Sequence, residues 1–165
     1  MTARILPTPL GDMLAAAEEG ALCGLWFVGQ RYFPLEAEAW LAAPCGASEA
    51  PVFETSRAWL DAYFSGRDPG APPPLAPRGT AFQQKVWAAL RKIQRGHTAT
   101  YGELAVGCAS APRAVGSAIG RNPISLIIPC HRAVGANGAL TGYAGGLKRK
   151  QALLELEGYK NQTSS

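Results

Sequence analysis

A cysteine and a histidine stand side by side at Cys130 and His131, in a Pro-Cys-His-Arg run that begins at residue 129. Three apolar residues at 126–128 precede the run and predict a buried strand leading into it. A thiolate is a strong nucleophile, and a neighbouring histidine can accept the proton of the thiol. Adjacency alone is a weak signal, because neighbours on a strand point to opposite faces and an ordinary core cysteine fits equally well. The pair is a candidate nucleophile and base.

Three carboxylates lie downstream of residue 77: Glu103, Glu155 and Glu157. Glu103 is placed to cap a helix. Glu157 falls in the last turn of a predicted helix, where the helix dipole disfavours negative charge. An acid there is easier to explain if a histidine or an arginine neutralises it. An ordinary solvated glutamate is the alternative.

Charge divides the chain into an acidic half and a basic half. The net charge is +4, but residues 1–77 carry −5 and residues 78–165 carry +9. Such a concentration of positive charge favours a polyanionic partner such as a nucleic acid. An arginine-rich surface that binds nothing is the alternative.

The bulk composition predicts a globular protein of the cytoplasm. No run of eighteen apolar residues suggests a membrane span, and no signal-peptide pattern is visible at the N-terminus. The four cysteines, at positions 23, 45, 108 and 130, form no CxxC pair. We therefore expect reduced thiols and no structural zinc site.

A proline-rich segment at 69–77, with five prolines in nine positions, coincides with the change in charge. Such a composition favours a stiff, extended connection. We therefore expect an N-terminal α/β domain over 1–77 that ends in this linker, and a second domain over 78–165. In the first domain, strands are predicted at Met13–Ala17 and Ala21–Val28, and a helix at Val52–Phe64.

Helix signals dominate the second domain. Capping boxes at Thr80–Gln83 and Thr100–Glu103 open two helices, the first ending at Gly96 and the second near Cys108. Ser-Ala-Pro at 110–112 opens a third helix, which must stop near Asn122 because a proline follows. The last two helices form a helix-turn-helix candidate, with a plain helical hairpin as the alternative. Small residues on the second of these helices would allow close approach to a nucleic-acid groove: Ala114, Gly116, Ser117, Ala118 and Gly120.

The remainder of the chain carries the candidate nucleophile and a final helix. A strand is predicted at Ser125–Ile128, and the Asn-Gly pair at 137–138 predicts a β-hairpin between 133–134 and 140–141. A glycine-rich loop covers 142–146. A helix is predicted over Leu147–Glu157, with Gly158 closing it and a polar, frayed tail from Tyr159.

These motifs together resemble the O6-alkylguanine-DNA alkyltransferases, or methylated-DNA–protein-cysteine methyltransferases. The resemblance is close from about residue 79 to 158. The matching segments are Phe-Gln-Gln-Lys-Val-Trp at 82–87, Thr-Tyr-Gly-Glu-Leu-Ala at 100–105, Arg-Ala-Val-Gly at 113–116, Asn-Pro at 122–123, Ile-Pro-Cys-His-Arg at 128–132, Thr-Gly-Tyr-Ala-Gly-Gly at 141–146 and Leu-Leu-Glu-Leu-Glu-Gly at 153–158. Each motif is modest by itself, but their order is highly specific. The family's variable ribonuclease-H-like domain is implied for the N-terminal half, and a mainly α domain with a helix-turn-helix for the rest.

The resemblance implies a role for individual residues. Cys130 would accept the alkyl group, His131 would be the base through a water, and Glu157 would orient His131. Asn122 would be the hinge between the recognition helix and the active-site turn. The residues implied to contact DNA or the flipped base are Arg113, which fills the vacated stack, Tyr101, which helps to rotate the nucleotide, Tyr143 and Ala144, which line the guanine pocket, and Gln83, Gly102, Ala133 and Ala136.

The implied reaction is repair of O6-alkylguanine, and of O4-alkylthymine, in double-stranded DNA bound through its minor groove. The alkyl carbon is inaccessible inside a duplex, so the base must be flipped out. Displacement at that carbon by a thiolate requires no metal and no organic cofactor. The thioether product contains no hydrolysable bond, so each protein molecule would act once. The resemblance also implies that the protein is a monomer.

Two departures from the family and two rival functions remain. The spacing from Tyr101 to Arg113 is about two residues shorter than in the family, and Ala133 replaces a larger aliphatic residue. A non-enzymatic helix-turn-helix regulator would share the basic half but would leave the Cys-His pair without a purpose. A cysteine hydrolase would regenerate its thiol and turn over repeatedly.

Overall fold

The computed structural model describes residues 1–159 and divides into two compact units, Met1–Arg78 and a second that begins at Gly79. Most of the polar tail expected to fray, residues 160–165, lies outside the described part. Across residues 1–159 no helix is long and apolar enough to cross a membrane.

The first unit is a three-stranded antiparallel meander with two helices. Its elements are β1 (Thr2–Leu6), β2 (Met13–Glu18), β3 (Ala21–Phe27), α1 (Ala37–Ala42) and α2 (Ala50–Phe64), with the strands in the order β1-β2-β3. Helix α1 packs on β1, and α2 packs on β2 and β3. The predicted strand pair and the longer helix are confirmed, whereas β1 and α1 were not predicted.

The central strand β2 is buried on both faces. Residues 13–17 are 0% exposed, which explains why this strand reads as a continuous apolar run and not as an alternating one. The turn into β3 places both Glu19 and Gly20 at positive φ, 52° and 76°. Two successive left-handed residues are what a two-residue hairpin of the twist-matched type requires.

The proline-rich segment is extended and runs along the edge of this sheet. Leu22 of β3 donates its N–H to the Pro74 carbonyl at 2.8 Å and accepts from the Ala76 N–H at 2.8 Å. Leu22 and Leu75 thereby form an isolated parallel bridge. At the end of the segment, Arg78 pairs with Glu18.

Over its described residues, 79–159, the second unit contains four α-helices and a two-residue parallel strand pair. These elements are α3 (Ala81–Arg91), β4 (Ala99–Thr100), α4 (Tyr101–Gly107), α5 (Pro112–Gly120), β5 (Ala133–Val134) and α6 (Leu147–Leu156). Both predicted capping boxes are present, at Thr80 and at Thr100. Helix α3 ends at Arg91 and not at the predicted Gly96, because the N–H of Lys92 bonds the carbonyls of Ala89 and Leu90 and so closes the helix there. Gly96, at φ +81°, lies in a separate turn that follows the helix.

Helices α4 and α5 pack against one another and both contact α3, which is the arrangement of a helix-turn-helix. The Trp87 indole on α3 donates to the carbonyl of Ala118 on α5 at 2.9 Å, and so fixes α5 to the core. In the turn between α4 and α5, the Ser110 N–H bonds the Ala105 carbonyl at 2.9 Å and Ala109 lies at φ 51°. The short connection thus places an alanine where helix ends usually have glycine.

Ala109→Gly is expected to raise the free energy of unfolding by about 1 kcal/mol, since left-handed backbone costs an L-residue roughly 1–2 kcal/mol. Urea denaturation would measure the difference. Ala114→Gly is the matched control, because the same change inside α5 should lower stability by about 0.5–1 kcal/mol. A loss of stability in both variants would show that Ala109 is not strained.

Two predicted elements near the candidate nucleophile are wrong. Residues 125–128 form a buried turn and not a strand: Leu126 lies at φ 71° and the Ile128 N–H bonds the Ile124 carbonyl at 3.1 Å. The Asn-Gly pair does make a tight turn, with the Gly135 N–H on the Ala139 carbonyl at 2.8 Å. No hairpin follows, because β5 pairs with β4 and residues 140–141 are not a strand.

Candidate active site

The amide of Asn122 shapes the turn that presents Cys130. Its Nδ2 donates to the carbonyls of Ile128, at 2.8 Å, and Ile124, at 3.3 Å. Its Oδ1 accepts from the Ile124 N–H at 3.0 Å. One buried side chain thus supplies the hydrogen bonds that a strand would have drawn from a neighbouring strand. Asn122 therefore ties the end of α5 to the backbone just before the cysteine.

Cys130 begins a single 3₁₀ turn, Cys130–Arg132, and is 6% exposed. Burial raises the pKa of its thiol, while hydrogen bonding from Asn122 and the charge of Lys150 act in the opposite direction. The resting sulfur is therefore a protonated thiol, and a base must remove its proton before it can attack.

His131, which follows this cysteine in the sequence, forms a buried side-chain pair with Glu157. His131 Nε2 lies 2.7 Å from Glu157 Oε2, and both side chains are 0% exposed. A carboxylate only accepts, so Nε2 carries the hydrogen and Nδ1 presents its lone pair. Within residues 1–159 this buried Nδ1 has no hydrogen-bond partner. Burial lowers the pKa of His131 although Glu157 opposes the shift, so the ring is neutral and able to accept a proton.

Arg132 holds the other side of the same carboxylate. Its Nε and Nη2 donate to Glu157 at 2.8 and 3.1 Å, and its Nη1 donates to the Ile93 carbonyl at 2.6 Å. The guanidinium balances the charge of Glu157, so His131 need not be protonated to neutralise it. The alternative of a solvated Glu157 is contradicted. Arg132 belongs to the Pro-Cys-His-Arg motif, but no role for it was predicted from the sequence.

The way in which α6 ends directs the Glu157 side chain towards His131. Glu157 follows the last helical residue, Gly158 is at φ +82°, and the Tyr159 N–H bonds the Leu154 carbonyl at 2.9 Å. This is the predicted glycine closure. It turns the chain away so that the carboxylate points into the core and not along the helix axis.

A buried lysine, which was not predicted from the sequence, interacts electrostatically with Cys130. Lys150 is 0% exposed, and its Nζ donates to the carbonyls of Ala133, Thr141 and Gly142 at 2.5, 3.0 and 3.1 Å. The Tyr101 hydroxyl also donates to the Thr141 carbonyl, at 3.0 Å. A signal was available, because Lys150 falls on the buried stripe of α6 with residues 153, 154 and 157.

The remaining predicted residues fall into three environments. Ala133 is fully buried and directly follows the 3₁₀ turn at Cys130–Arg132. The glycine-rich loop carries two partly buried residues, Tyr143 and Ala144. Exposed positions are Arg113 in the first turn of α5, Gly102 in the first turn of α4, and Ala136. The structure thus brings Cys130, His131, Glu157 and Asn122 together and leaves Arg113 at the surface.

Gln83 lies in the first turn of α3. Its Oε1 accepts from the Thr80 N–H at 2.9 Å, which completes the capping box. A Cβ at Gly79 would lie 2.6 Å from this same oxygen, so the cap is tightly enclosed. The observed contact of Gln83 is structural.

Two protein-family models match the chain. One, described as the DNA binding domain of 6-O-methylguanine DNA methyltransferase, covers residues 81–159. The other, described as the ribonuclease-like domain of the same protein, covers residues 1–70. Their division agrees with the two units of the structure.

Curated relatives match over nearly the whole chain. A methylated-DNA–protein-cysteine methyltransferase of Mycobacterium bovis is 45% identical over 156 residues, covering 93% of this chain and 90% of the relative. One from Methanosarcina acetivorans is 43% identical, covering 93% of this chain and 96% of the relative.

Solved structures agree with this. The Mycobacterium tuberculosis OGT in complex with DNA superposes with a TM-score of 0.83 at 41% identity, covering 95% of this chain and 92% of that one. The O6-methylguanine methyltransferase of the same organism gives a TM-score of 0.79 at 43% identity, covering 94% and 92%. With the buried Cys-His-Glu arrangement and the helix-turn-helix, these matches show that the chain belongs to the methylated-DNA–protein-cysteine methyltransferase family.

Proposed function

We propose that this protein repairs alkylated DNA by direct reversal, moving an alkyl group from O6 of guanine, or O4 of thymine, to the sulfur of Cys130. The observation that carries the proposal is the buried pair of His131 and Glu157, whose Nε2 and Oε2 atoms lie 2.7 Å apart. His131 directly follows the cysteine that carries the thiol. A neutral histidine with one nitrogen held by a carboxylate is a general base. A regulator that only binds DNA would have no use for it.

The reaction balances with the protein's own groups. His131 Nδ1 takes the thiol proton through a water, and the sulfur attacks the alkyl carbon. The carbon–oxygen bond breaks and its electron pair stays on O6. The proton that His131 took then passes to the guanine, so that overall the thiol hydrogen replaces the alkyl group. The product thioether has no acyl or phosphoryl bond for water to cleave, so each molecule acts once.

The helix-turn-helix supports binding of duplex DNA by one protein monomer. The exposed face of α5 has small side chains, Ala114 and Ser117, beside Arg113. A narrow face of this kind can approach the minor groove closely, and the basic half supplies attraction to phosphates. Flipping the damaged base leaves a gap that Arg113 can fill. A DNA substrate and four free cysteines support a cytoplasmic location.

Other residues complete the proposed base pocket. Tyr101 and Tyr143 would contact the flipped purine, and the Ala144 backbone and Ala133 would line the pocket around it. Gly102 and Ala136 are exposed and available to DNA. Gln83 would contact DNA while its side chain also caps α3.

Intact-mass analysis tests the proposal. After mixing with duplex DNA that contains O6-methylguanine, we expect the protein to gain the mass of one methyl group, on the peptide that contains Cys130. Excess substrate should add no second group. Catalytic release of methanol, with the protein mass unchanged, would instead establish a hydrolase.

Arg113→Ala is expected to slow repair in duplex DNA and to spare transfer from free O6-benzylguanine. The reason is that a free base leaves no vacant stack to fill. Single-turnover rates on the two substrates measure the effect, and about a tenfold or larger gap between the two losses is expected, since unstacking costs a few kcal/mol.

Arg121→Ala is the charge-matched control for this prediction, because Arg121 follows α5 at its other end and is also exposed. Equal losses on both substrates in Arg113→Ala would indicate a structural role for Arg113.

A further inference from the structure

Lys150 is a fully buried cation with all of its hydrogens engaged. An ammonium group has three hydrogens, and three carbonyls accept from Lys150 Nζ, those of Ala133, Thr141 and Gly142. Two segments of chain supply these carbonyls, β5 and the stretch at 141–142. The tight turn at 136–138 separates these segments.

The lysine also organises Tyr101. The Thr141 carbonyl that accepts from Lys150 accepts from the Tyr101 hydroxyl as well, and the ammonium lies 5.9 Å from the centroid of the Tyr101 ring. Lys150 thus connects α6, β5, the 141–142 stretch and the first residue of α4. In the proposed function these elements form the walls of the base pocket.

We propose that Lys150 is a positioning residue whose ammonium group holds the walls of the base pocket together, while Cys130 and His131 carry out the transfer. This inference rests on the proposed function. Lys150 need not touch the base. Its effect is on the fit of the flipped base, through the backbone at Ala133, Thr141 and Gly142.

The clamp requires the protonated lysine. A neutral amine has two hydrogens and a lone pair, so one of the three carbonyls would face a lone pair. Burial lowers the pKa of Lys150 to about 8, and the facing Cys130 opposes the shift. The other titratable groups nearby are the Tyr101 hydroxyl on α4, whose pKa burial raises, and His131, whose pKa burial lowers. The pocket should therefore loosen as pH rises through about 8.

Base recognition and folding stability should respond to this titration with opposite signs. An unfolded lysine releases its proton near pH 10.5, so between about pH 8 and 10.5 the unfolded state holds one proton more than the folded state. Within that window this group makes the protein more stable as pH rises. A lysine that only stabilised the fold would not weaken base recognition in the same window.

The test measures binding in a Cys130→Ala background, where no transfer occurs. The ratio of affinities for O6-methylguanine duplex and unmodified duplex reports the pocket alone. We expect this ratio to fall about tenfold or more between pH 7 and 9.5, and Lys150→Met to show the low ratio at every pH, since the carbonyls lose their donor. Lys148→Met removes a charge from the exposed side of α6 and should follow the background protein.

An unchanged ratio in Lys150→Met would overturn the inference. If Cys130 also reacts more slowly with iodoacetamide in the single Lys150→Met variant, the lysine acts on the thiol through its charge and not on the pocket. Should Lys150→Met fail to fold, a constant ratio from pH 7 to 9.5 in the background protein is decisive against the clamp. Failure of the proposed function is separate, because it appears as no methyl gain in the unmutated protein.

Discussion

Cys130→Ala is expected to lose all alkyl transfer and to keep its affinity for duplex DNA. Transfer needs a single sulfur, whereas binding rests on the basic helix-turn-helix. Transfer of a labelled methyl group from DNA to protein measures the first, and titration of unmodified duplex the second. The substitution is small and removes only one atom from a buried turn, so folding should persist.

Cys108→Ala is the matched control, since Cys108 is another buried cysteine of the same unit, 3% exposed. It should transfer at the rate of the unmutated protein. Residual transfer in Cys130→Ala at a comparable rate would move the acceptor to another cysteine and remove the basis for the proposed mechanism.

Glu157→Gln is expected to slow repair strongly and to destabilise the protein. The amide carries no charge, so it orients and charges His131 less well, and the thiol of Cys130 should titrate at higher pH. It also leaves the Arg132 guanidinium, 12% exposed, without its counter-ion. Breaking a buried pair from one side costs about 3–5 kcal/mol. Iodoacetamide alkylation against pH, repair rates and urea denaturation measure these three effects.

Glu155→Gln is the matched control, because it makes the same change near the end of the same helix but outside the site. Glu155 lies two residues earlier, on α6, is exposed, and its carboxylate accepts from the Gln151 side chain at 3.1 Å. It should change neither repair nor the titration of the thiol. If Glu157→Gln folds and behaves like Glu155→Gln, the relay from Glu157 through His131 to the thiol does not exist.

Elements with local signals were predictable from the sequence. The capping boxes at Thr80 and Thr100 and the closing Gly158 each depend on side chains within a few residues, and all three are present. The strand prediction at 125–128 was wrong because an apolar, buried segment can be a turn as well as a strand. What makes it a turn is the amide of Asn122, whose bonds to this segment no periodicity reveals.

Several residues of the candidate site could be named from the sequence, but most of their contacts could not. Cys130 and His131 are neighbours in sequence, yet Glu157 lies 26 positions after His131. Its place at a helix end indicated a histidine or arginine partner, and the family resemblance implied that this partner is His131. Arg132 and Lys150 were overlooked because lysine and arginine are usually exposed. Their partners are carbonyls and a carboxylate supplied by the tertiary fold.

The proline-rich segment bears on how the first unit avoids aggregation. A β-sheet edge is a template on which another chain can add a strand. At β3 the N–H and carbonyl of Leu22 are already taken by Pro74 and Ala76. The covering segment is itself a poor template, because its prolines have no N–H to offer. Replacing Pro72, Pro73 and Pro74 by other residues would therefore add backbone N–H groups to this segment, and two molecules could then pair edge to edge through it.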